Sequence, residues 1–170
     1  MSKAIVLAVD TARDEPGEHV AAAVEMVTEL AKAGDTVTVL HVHEFAVGRF
    51  GRIQVDCGDG QGEKLVADIA GRLTAAGVPA EGVIREADFG HVARAILTEA
   101  THRGAALLVL GSSSRTDLPW IPFGSVANRL LHIAALPVLI VPMHRAAETA
   151  EVREHVRARG ITPTTAAAES

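Results

Sequence analysis

Five short runs of aliphatic and β-branched residues alternate along the chain with segments of helical periodicity. Two of these runs, 5–9 and 107–110, are apolar at consecutive positions, so both faces of each strand must be covered. Such alternation is typical of βαβ units, in which crossover helices join parallel strands. We therefore predict a doubly wound α/β sheet. Its five predicted strands are 4–9, 36–42, 82–84, 105–110 and 137–141.

Four amphipathic helices are predicted between these strands from apolar residues at three-and-four spacing. The first spans 18–32 and the second 63–76, where Gly77 and Pro79 end it. The third begins near Phe89 and the fourth near Ser125. The predicted buried positions are Val20, Val24, Val27, Leu30, Ala31, Leu65, Ile69, Leu73, Ala76, Val92, Ala95, Ile96, Ala100, Val126, Leu130, Leu131 and Ile133.

Two segments lack this order. Residues 45–62 contain five glycines and no periodic apolar pattern, which predicts a mobile loop on the strand-two side of the sheet. After Pro142 the chain becomes polar. We predict one domain over 1–143 and a polar tail over 144–170, a short helix followed by a disordered end.

Composition excludes several function classes. The 48% of apolar residues support one compact core, and the longest apolar stretch, 134–143, is too short to span a bilayer. No signal-peptide layout is present, so we expect a cytoplasmic protein that does not bind a membrane. A net charge of −5 and 3% aromatic residues argue against nucleic-acid binding. The single cysteine, Cys57, is expected to be a free thiol.

The best candidate binding site is the junction 110–126, where a strand meets a helix through small residues. A helix start presents N–H groups without intrahelical partners, which favours an anion such as phosphate. Ser125 can cap this helix or meet a phosphate oxygen, and a serine-rich turn with an ordinary cap is the alternative. Ligands of open parallel sheets lie at the carboxyl ends of strands, where we find Asp10, His41–Glu44 and Gly111–Ser114.

Several of these residues match the motifs of a known protein family. Over residues 3–143 the chain resembles a universal stress protein domain. Shared features are Asp10 after the first strand, the sequence Leu-His-Val-x-Glu at 40–44, and the block 111–126 followed by Leu-Pro-Val-Leu-Ile-Val-Pro. In the ATP-binding branch the last loop reads Gly, two residues, Gly, nine residues, Gly-Ser/Thr. Here Gly111, Ser114 and Gly124-Ser125 keep the spacing, but a serine replaces the middle glycine.

The resemblance implies a Rossmann-like sheet with strand order 3-2-1-4-5 that binds ATP or another adenine nucleotide, with or without Mg²⁺. Adenosine would be held by Asp10 and by the backbone near Val42. Phosphates would be held by the 111–114 turn and by the helix start at Gly124, Ser125 and Val126. Independently of the resemblance, Arg115 follows Ser114 and is suited to bind a phosphate bidentately, and a solvated loop residue is the preferred alternative. The resemblance also implies a homodimer through the last strand. The residues of that strand are Val138, Leu139, Ile140 and Val141.

No catalytic motif is found: a nucleophile elbow, a Walker loop and a glycine-rich turn after the first strand are all missing. His41 and His43 share one strand face and suggest a metal together with Glu44, but burial under a helix makes a structural pair the preferred interpretation, and no metal is predicted. We predict a regulatory, non-catalytic stress-response protein. The alternatives are a nucleotide-free homodimeric module that binds an unknown protein partner through the Trp120 loop, and a slow ATPase using Asp10.

Overall fold

A computed structural model describes residues 2–10, 18–49, 51–56, 58, 60–112 and 124–142. Strands and helices alternate through most of this part of the chain, as the periodicity predicts. In chain order the elements are β1 (Ala4–Ala8), α1 (Glu18–Leu30), β2 (Thr36–Gly48), β3 (Gly51–Gln54), α2 (Gln61–Ala75), β4 (Ala80–Asp88), α3 (Val92–His102), β5 (Leu107–Ser112), α4 (Ser125–Ile133) and β6 (Val138–Pro142).

The five parallel strands lie in the order β4-β2-β1-β5-β6, which is the predicted order 3-2-1-4-5. Helices α1 and α2 cover one face of the sheet, and α3 and α4 cover the other. In β1, Leu7 faces the first pair of helices while Val6 faces the second, and both are fully buried. The uninterrupted apolar runs are explained by this double burial, and the predicted doubly wound α/β fold is confirmed.

The prediction of a mobile loop over 45–62 is wrong. Strand β2 continues to Gly48, β3 pairs with it antiparallel, and α2 begins at Gln61. This hairpin buries no regular stripe: Val47 is 81% exposed and Ile53 57% exposed. Its hydrogen bonds come from the neighbouring strand, so the segment needs no hydrophobic periodicity of its own. Gly51, at φ +124°, supplies a backbone conformation in the turn that other residues rarely adopt.

Strand and helix limits also differ from prediction. Strand β4 covers nine residues instead of the predicted three, because β2 pairs with it from Val37 to Phe45. Helix α1 ends at Leu30, two residues early, and the Leu30 side chain is 43% exposed. These limits are set by hydrogen-bonded neighbours, which the chain's own pattern does not contain.

The buried helix faces are partly shifted from those predicted. In α4, Leu131 and Ile133 are exposed, and Ala127 and Leu130 make the core contact. In α2 and α3 some predicted positions are buried and small residues such as Ala70 and Ala93 join them. The buried residues are Gly62, Val66, Ile69, Ala70 and Leu73 in α2 and Ala93, Ile96, Glu99 and Ala100 in α3.

Two predicted features lie outside the described residues: the loop that contains Trp120 and the polar tail 144–170. Among the helices that the structure does describe, none combines the length and the apolar character needed to cross a bilayer.

Candidate functional site

Three of the predicted site residues lie at the carboxyl ends of adjacent strands. Ala8 of β1 pairs with Leu40 of β2 and with Leu110 of β5. Asp10 lies two residues after Ala8, Val42 lies two residues after Leu40, and Gly111 follows Leu110 directly. Asp10 and Gly111 are exposed, whereas the Val42 side chain is buried. The Asp10 carboxylate and the backbone of the other two residues therefore lie at one edge of the sheet.

Helix α4 begins at the other predicted part of the site. Its N-cap is Gly124, with φ −59° and ψ 161°, and no side-chain cap bond from the described residues is present. The alternative that Ser125 caps the helix is therefore wrong: Ser125 is the first helical residue and is exposed, followed by half-buried Val126. The described first turn carries no acidic side chain. Its N–H groups and the positive end of the helix dipole remain suited to an anion.

Ser114 and Arg115, the remaining predicted site residues, lie outside the described residues. Their place in the site stays a prediction based on the spacing between Gly111 and Gly124.

Strand β3 lies beyond the carboxyl end of β1. The Leu40 carbonyl accepts a hydrogen bond from the Val9 N–H at 2.9 Å, and the Glu44 carbonyl accepts one from the Val55 N–H at 2.8 Å. Carbonyls four residues apart in a strand point to the same edge, so β1 and the end of β3 share one edge of β2. The hairpin thus brings Asp56, which follows β3, to the carboxyl edge of the sheet.

Asp56 meets two histidines there, and we call His41, His43 and Asp56 the Asp56 cluster. Asp56 Oδ2 lies 3.0 Å from His41 Nε2 and 3.0 Å from His43 Nδ1. Its other oxygen, Oδ1, accepts the Glu44 N–H at 2.9 Å, which fixes the carboxylate. All three side chains are largely removed from solvent, with 1%, 8% and 9% exposure respectively. One nitrogen or oxygen atom from each lies within 4.8 Å of the others.

Each imidazole of the cluster also contacts a second oxygen. His41 Nδ1 lies 3.0 Å from the Val9 carbonyl, and His43 Nε2 lies 3.2 Å from Glu63 Oε1. Burial alone would lower the pKa of His43, but its hydrogen bonds to Asp56 and Glu63 outweigh burial and raise that pKa. The pKa of Glu63 is lowered by its own backbone N–H and by His43. Every ring nitrogen thus has an oxygen acceptor beside it, and Gln54 Nε2 also lies 2.9 Å from His43 Nδ1.

Helix α2 closes over the ring pair through a glycine. A Cβ atom on Gly62 would lie 2.5 Å from His41 Cδ2 and 2.7 Å from His43 Cε1, distances that real contacts do not show. Glycine is therefore required for α2 to pack at this height over β2. The shared, buried strand face predicted for His41 and His43 is confirmed.

Glu44 was considered with the two histidines only in the metal interpretation that was not preferred, and the structure does not place its side chain with theirs. Successive side chains of a strand point to opposite faces, so Glu44 turns away from the rings, and its Oε1 accepts the Gly90 N–H at 2.7 Å before α3. Asp56 and Glu63 were missed. Asp56 lies in the segment without a pattern, and only the pairing of β3 with β2 brings it to the histidines.

A second buried carboxylate lies on the opposite face of β2. Glu99 of α3, 6% exposed, accepts two hydrogen bonds from Arg85, at 2.7 and 3.0 Å, and one from Arg103 Nε at 2.6 Å. Arg103 also contacts Glu81 and donates to Thr38 Oγ1. Burial would raise the pKa of Glu99, but the two guanidinium groups outweigh it and hold that pKa below its usual value. We call these residues the Glu99 cluster.

The fold and the carboxyl edge together define a class: a Rossmann-like α/β protein with an open, parallel-stranded edge at the switch point between β1 and β5. The family model described as "Universal stress protein family" matches residues 1–142. The chain belongs to the universal stress protein family.

Solved structures agree in fold. A universal stress protein from Burkholderia pseudomallei shows 23% identity and a TM-score of 0.57, with 82% of this chain and 96% of that chain covered. An Arabidopsis thaliana family member solved with AMP bound shows 19% identity and a TM-score of 0.62, covering 86% and 95%. One from Archaeoglobus fulgidus in complex with dAMP shows 21% identity and 0.58, covering 82% and 97%. Among curated proteins, none matches.

Proposed function

We propose that this chain is a stress-response protein that binds an adenine nucleotide at the carboxyl edge of its sheet and acts by occupancy, without catalysis. The observation that carries the proposal is the convergence of Asp10, Val42 and Gly111 on adjacent strands at that edge. Asp10 is suited to ribose hydroxyls, the Val42 backbone to the base, and the start of α4 to phosphate.

The relatives support adenine as the base, because the Arabidopsis protein was solved with AMP and the Archaeoglobus protein with dAMP. The charge arrangement supports a phosphate at α4, since its first turn combines a glycine cap with no acidic side chain in the described residues. Ser114 departs from the ATP-binding motif and weakens phosphate binding by about 1 kcal/mol or more. We therefore expect micromolar to millimolar affinity.

Calorimetry on the full chain with AMP, ADP and Mg-ATP tests the proposal. We expect one nucleotide per chain, and no comparable heat with a pyrimidine nucleotide as control. The absence of heat at about millimolar nucleotide, which corresponds to roughly −4 kcal/mol of binding free energy, would contradict it.

Adding a negative charge at the start of α4 tests whether the phosphate binds there. Ser125→Glu brings a carboxylate to the start of α4, where it favours the helix but repels a phosphate. We expect at least a tenfold loss of affinity with unchanged folding by circular dichroism. Thr98→Glu, on the exposed side of α3, adds the same charge elsewhere and should leave affinity unchanged. Equal losses in both variants would mean that the phosphate binds elsewhere or that only net charge matters.

Two further variants test the remaining contacts. Asp10→Ala removes a charged hydrogen-bonding group and should cost about 1.5–3 kcal/mol of nucleotide binding, or roughly 10- to 150-fold. Ser114→Gly restores the family glycine and should tighten binding about fivefold or more. Phosphate release from ATP is expected to be at background in the wild-type chain. A rate that disappears in Asp10→Ala would instead support the slow ATPase.

We also propose a homodimer through β6. This strand has one neighbour, β5, among the described strands. Pro137 O accepts from Leu108 N–H, so the backbone groups of Val138 and Ile140 point to the outer edge. Ile140→Pro removes an outward N–H without breaking a bond to β5 and should give monomers in sedimentation experiments. A wild-type chain that sediments as a monomer would overturn this proposal.

A further inference from the structure

We propose that His41, His43 and Asp56 form a binding site for a divalent transition-metal ion of the zinc class. The site lies on the α2 face of β2 and is independent of nucleotide binding. It uses side chains that the proposed nucleotide contacts do not use.

Two of the three pairs of ligand atoms already have nearly the separation that a metal ion needs. Asp56 Oδ2 is 3.0 Å from His41 Nε2 and from His43 Nδ1. Around tetrahedral Zn²⁺, with bonds of about 2.0–2.2 Å, neighbouring ligand atoms lie roughly 3.3–3.5 Å apart. Each histidine–aspartate pair needs an expansion of a few tenths of an ångström, and the two histidine nitrogens, which lie within 4.8 Å of each other, must reach the same distance. A fourth position then remains for water or another oxygen donor.

The outer nitrogen of each ring fixes the direction of the inner one. His41 Nδ1 faces the Val9 carbonyl, which only accepts, so this nitrogen carries a proton and donates it. His43 Nε2 faces Glu63 Oε1 and does the same. Metal-binding histidines typically donate their second N–H to a backbone carbonyl or a carboxylate in this way.

With the outer nitrogens protonated, a neutral ring points its other lone pair at Asp56. The lone pairs of His41 Nε2 and His43 Nδ1 then face a carboxylate oxygen at 3.0 Å, an arrangement that requires a positive centre between them. A metal ion supplies it, as would added protons on the rings or on Asp56. Gln54 Nε2, an amide donor 2.9 Å from His43 Nδ1, is consistent with an unprotonated inner nitrogen.

Charge and burial favour the ion. Two doubly protonated rings would place two cations 4.9 Å apart, centroid to centroid, in a site with at most 9% exposure of its three side chains. One divalent ion leaves both rings neutral and gives the Asp56 carboxylate a positive partner. Two imidazoles with one carboxylate suit Zn²⁺, Co²⁺ or Ni²⁺, whereas Mg²⁺ and Ca²⁺ prefer oxygen ligands.

The protein to be tested is the full chain without an affinity tag, freed of metal by a chelator and kept without nucleotide. Calorimetry with Zn²⁺ should give one ion per chain, and Co²⁺ should give the visible absorption of a four-coordinate site. Mg²⁺ should give neither. No binding at about millimolar Zn²⁺ would overturn the proposal.

Variants assign the ligands. Asp56→Asn, His41→Gln and His43→Gln should each weaken Zn²⁺ binding on the order of a hundredfold or more, and Glu63→Gln about tenfold, because Glu63 acts through His43. The matched controls are the exposed histidines, His91→Gln and His132→Gln, together with Cys57→Ser next to Asp56 in sequence. All three should bind as the wild type does. Unchanged binding in Asp56→Asn, or lost binding in Cys57→Ser, would contradict the assignment.

A measurement on the wild-type chain tests the proposal without any variant, in case a variant fails to fold. In protein labelled with ¹⁵N-histidine, Zn²⁺ should move the ring resonances of His41 and His43 and leave those of His91, His102 and His132 in place. Ring resonances of His41 and His43 that show two bound protons each and ignore Zn²⁺ would overturn the proposal.

Discussion

Strand β2 holds a buried carboxylate against each of its faces, and the two carboxylates differ in the side chains that contact them. Glu99 meets two arginines on the α3 face, and Asp56 meets two histidines on the α2 face. Both carboxylates accept hydrogen bonds and both are almost removed from solvent.

The difference between arginine and histidine separates the roles of the two clusters. Arginine donates only, remains charged at every accessible pH, and holds a carboxylate in a fixed fork. Histidine exchanges a proton for a lone pair and is a common metal ligand. The Glu99 cluster is therefore a permanent tie between α3, β2 and β4. The Asp56 cluster can take a ligand, because its imidazoles offer lone pairs that guanidinium groups lack.

The largest expected effect comes from breaking the permanent tie. Glu99→Gln leaves two guanidinium groups without their shared carboxylate and should cost about 2–3 kcal/mol of unfolding free energy. The estimate stays below that for fully buried pairs because Arg85 is 44% exposed. Urea unfolding measures it. Glu81→Gln, at an exposed partner of Arg103, should cost less than about 1 kcal/mol, and an equal loss in both variants would refute the difference.

Acid should weaken the same tie. Because the pKa of Glu99 is lowered from 4.5, its contribution is complete above that pH and is lost as pH falls through the folded value. The stability difference between wild type and Glu99→Gln should thus be constant near neutrality and shrink in acid. Asp35, whose pKa the backbone N–H groups of Lys32 and Lys3 also lower, affects both proteins equally and cancels. A stability difference between the two proteins that grows in acid would contradict this prediction.

Two glycines of α2 provide a matched test of the histidine pair. Gly62→Ala forces a methyl group against both rings and should destabilise the fold by about 1–2 kcal/mol, the overpacking cost reduced by the helix preference of alanine. An added Cβ at Gly71 meets nothing within 4 Å, so Gly71→Ala should stabilise by up to about 1 kcal/mol. Thermal unfolding with and without Zn²⁺ measures the stability of both variants against the wild type. Equal effects would show that the rings are not held in place by α2.

The smallest expected effect concerns a third, exposed ion pair. Arg52 of β3 contacts Glu86 at 2.9 Å, but these side chains are 48% and 57% exposed. Arg52→Ala should cost less than about 1 kcal/mol, even though its guanidinium also lies 4.3 Å from the centre of the Phe45 ring. A loss as large as that of Glu99→Gln would mean that burial does not distinguish these pairs.

The apolar pattern of the chain was sufficient to predict the strands that are buried on both faces. Runs such as 5–9 and 107–110 predicted parallel strands, and the five-stranded order followed the family resemblance. The hairpin could not be predicted, because Val47 and Ile53 are exposed and β3 is defined by its partner strand. Small residues such as Ala127 were passed over in favour of Leu131, since periodicity reveals a helix but not how closely it approaches the sheet.

The two candidate sites differ in the same way. Asp10, Val42 and Gly111 follow strands that the sequence predicts, so their convergence at one edge could be anticipated. The partners of His41 and His43 could not, because Asp56 reaches them through a hairpin without periodicity and Glu63 through the close approach of Gly62. Residues distant in sequence come together there only through tertiary packing.

The central claim is that ligands bind at the carboxyl edge of the sheet while the Glu99 cluster serves structure alone. Titration of AMP into ¹⁵N-labelled protein, followed through the backbone amide resonances, tests it most directly. We predict shifts at Asp10, Gly111 and Ser125 and none at Thr38, Glu99 or Arg103. An unchanged spectrum, or shifts concentrated at the Glu99 cluster, would contradict the claim.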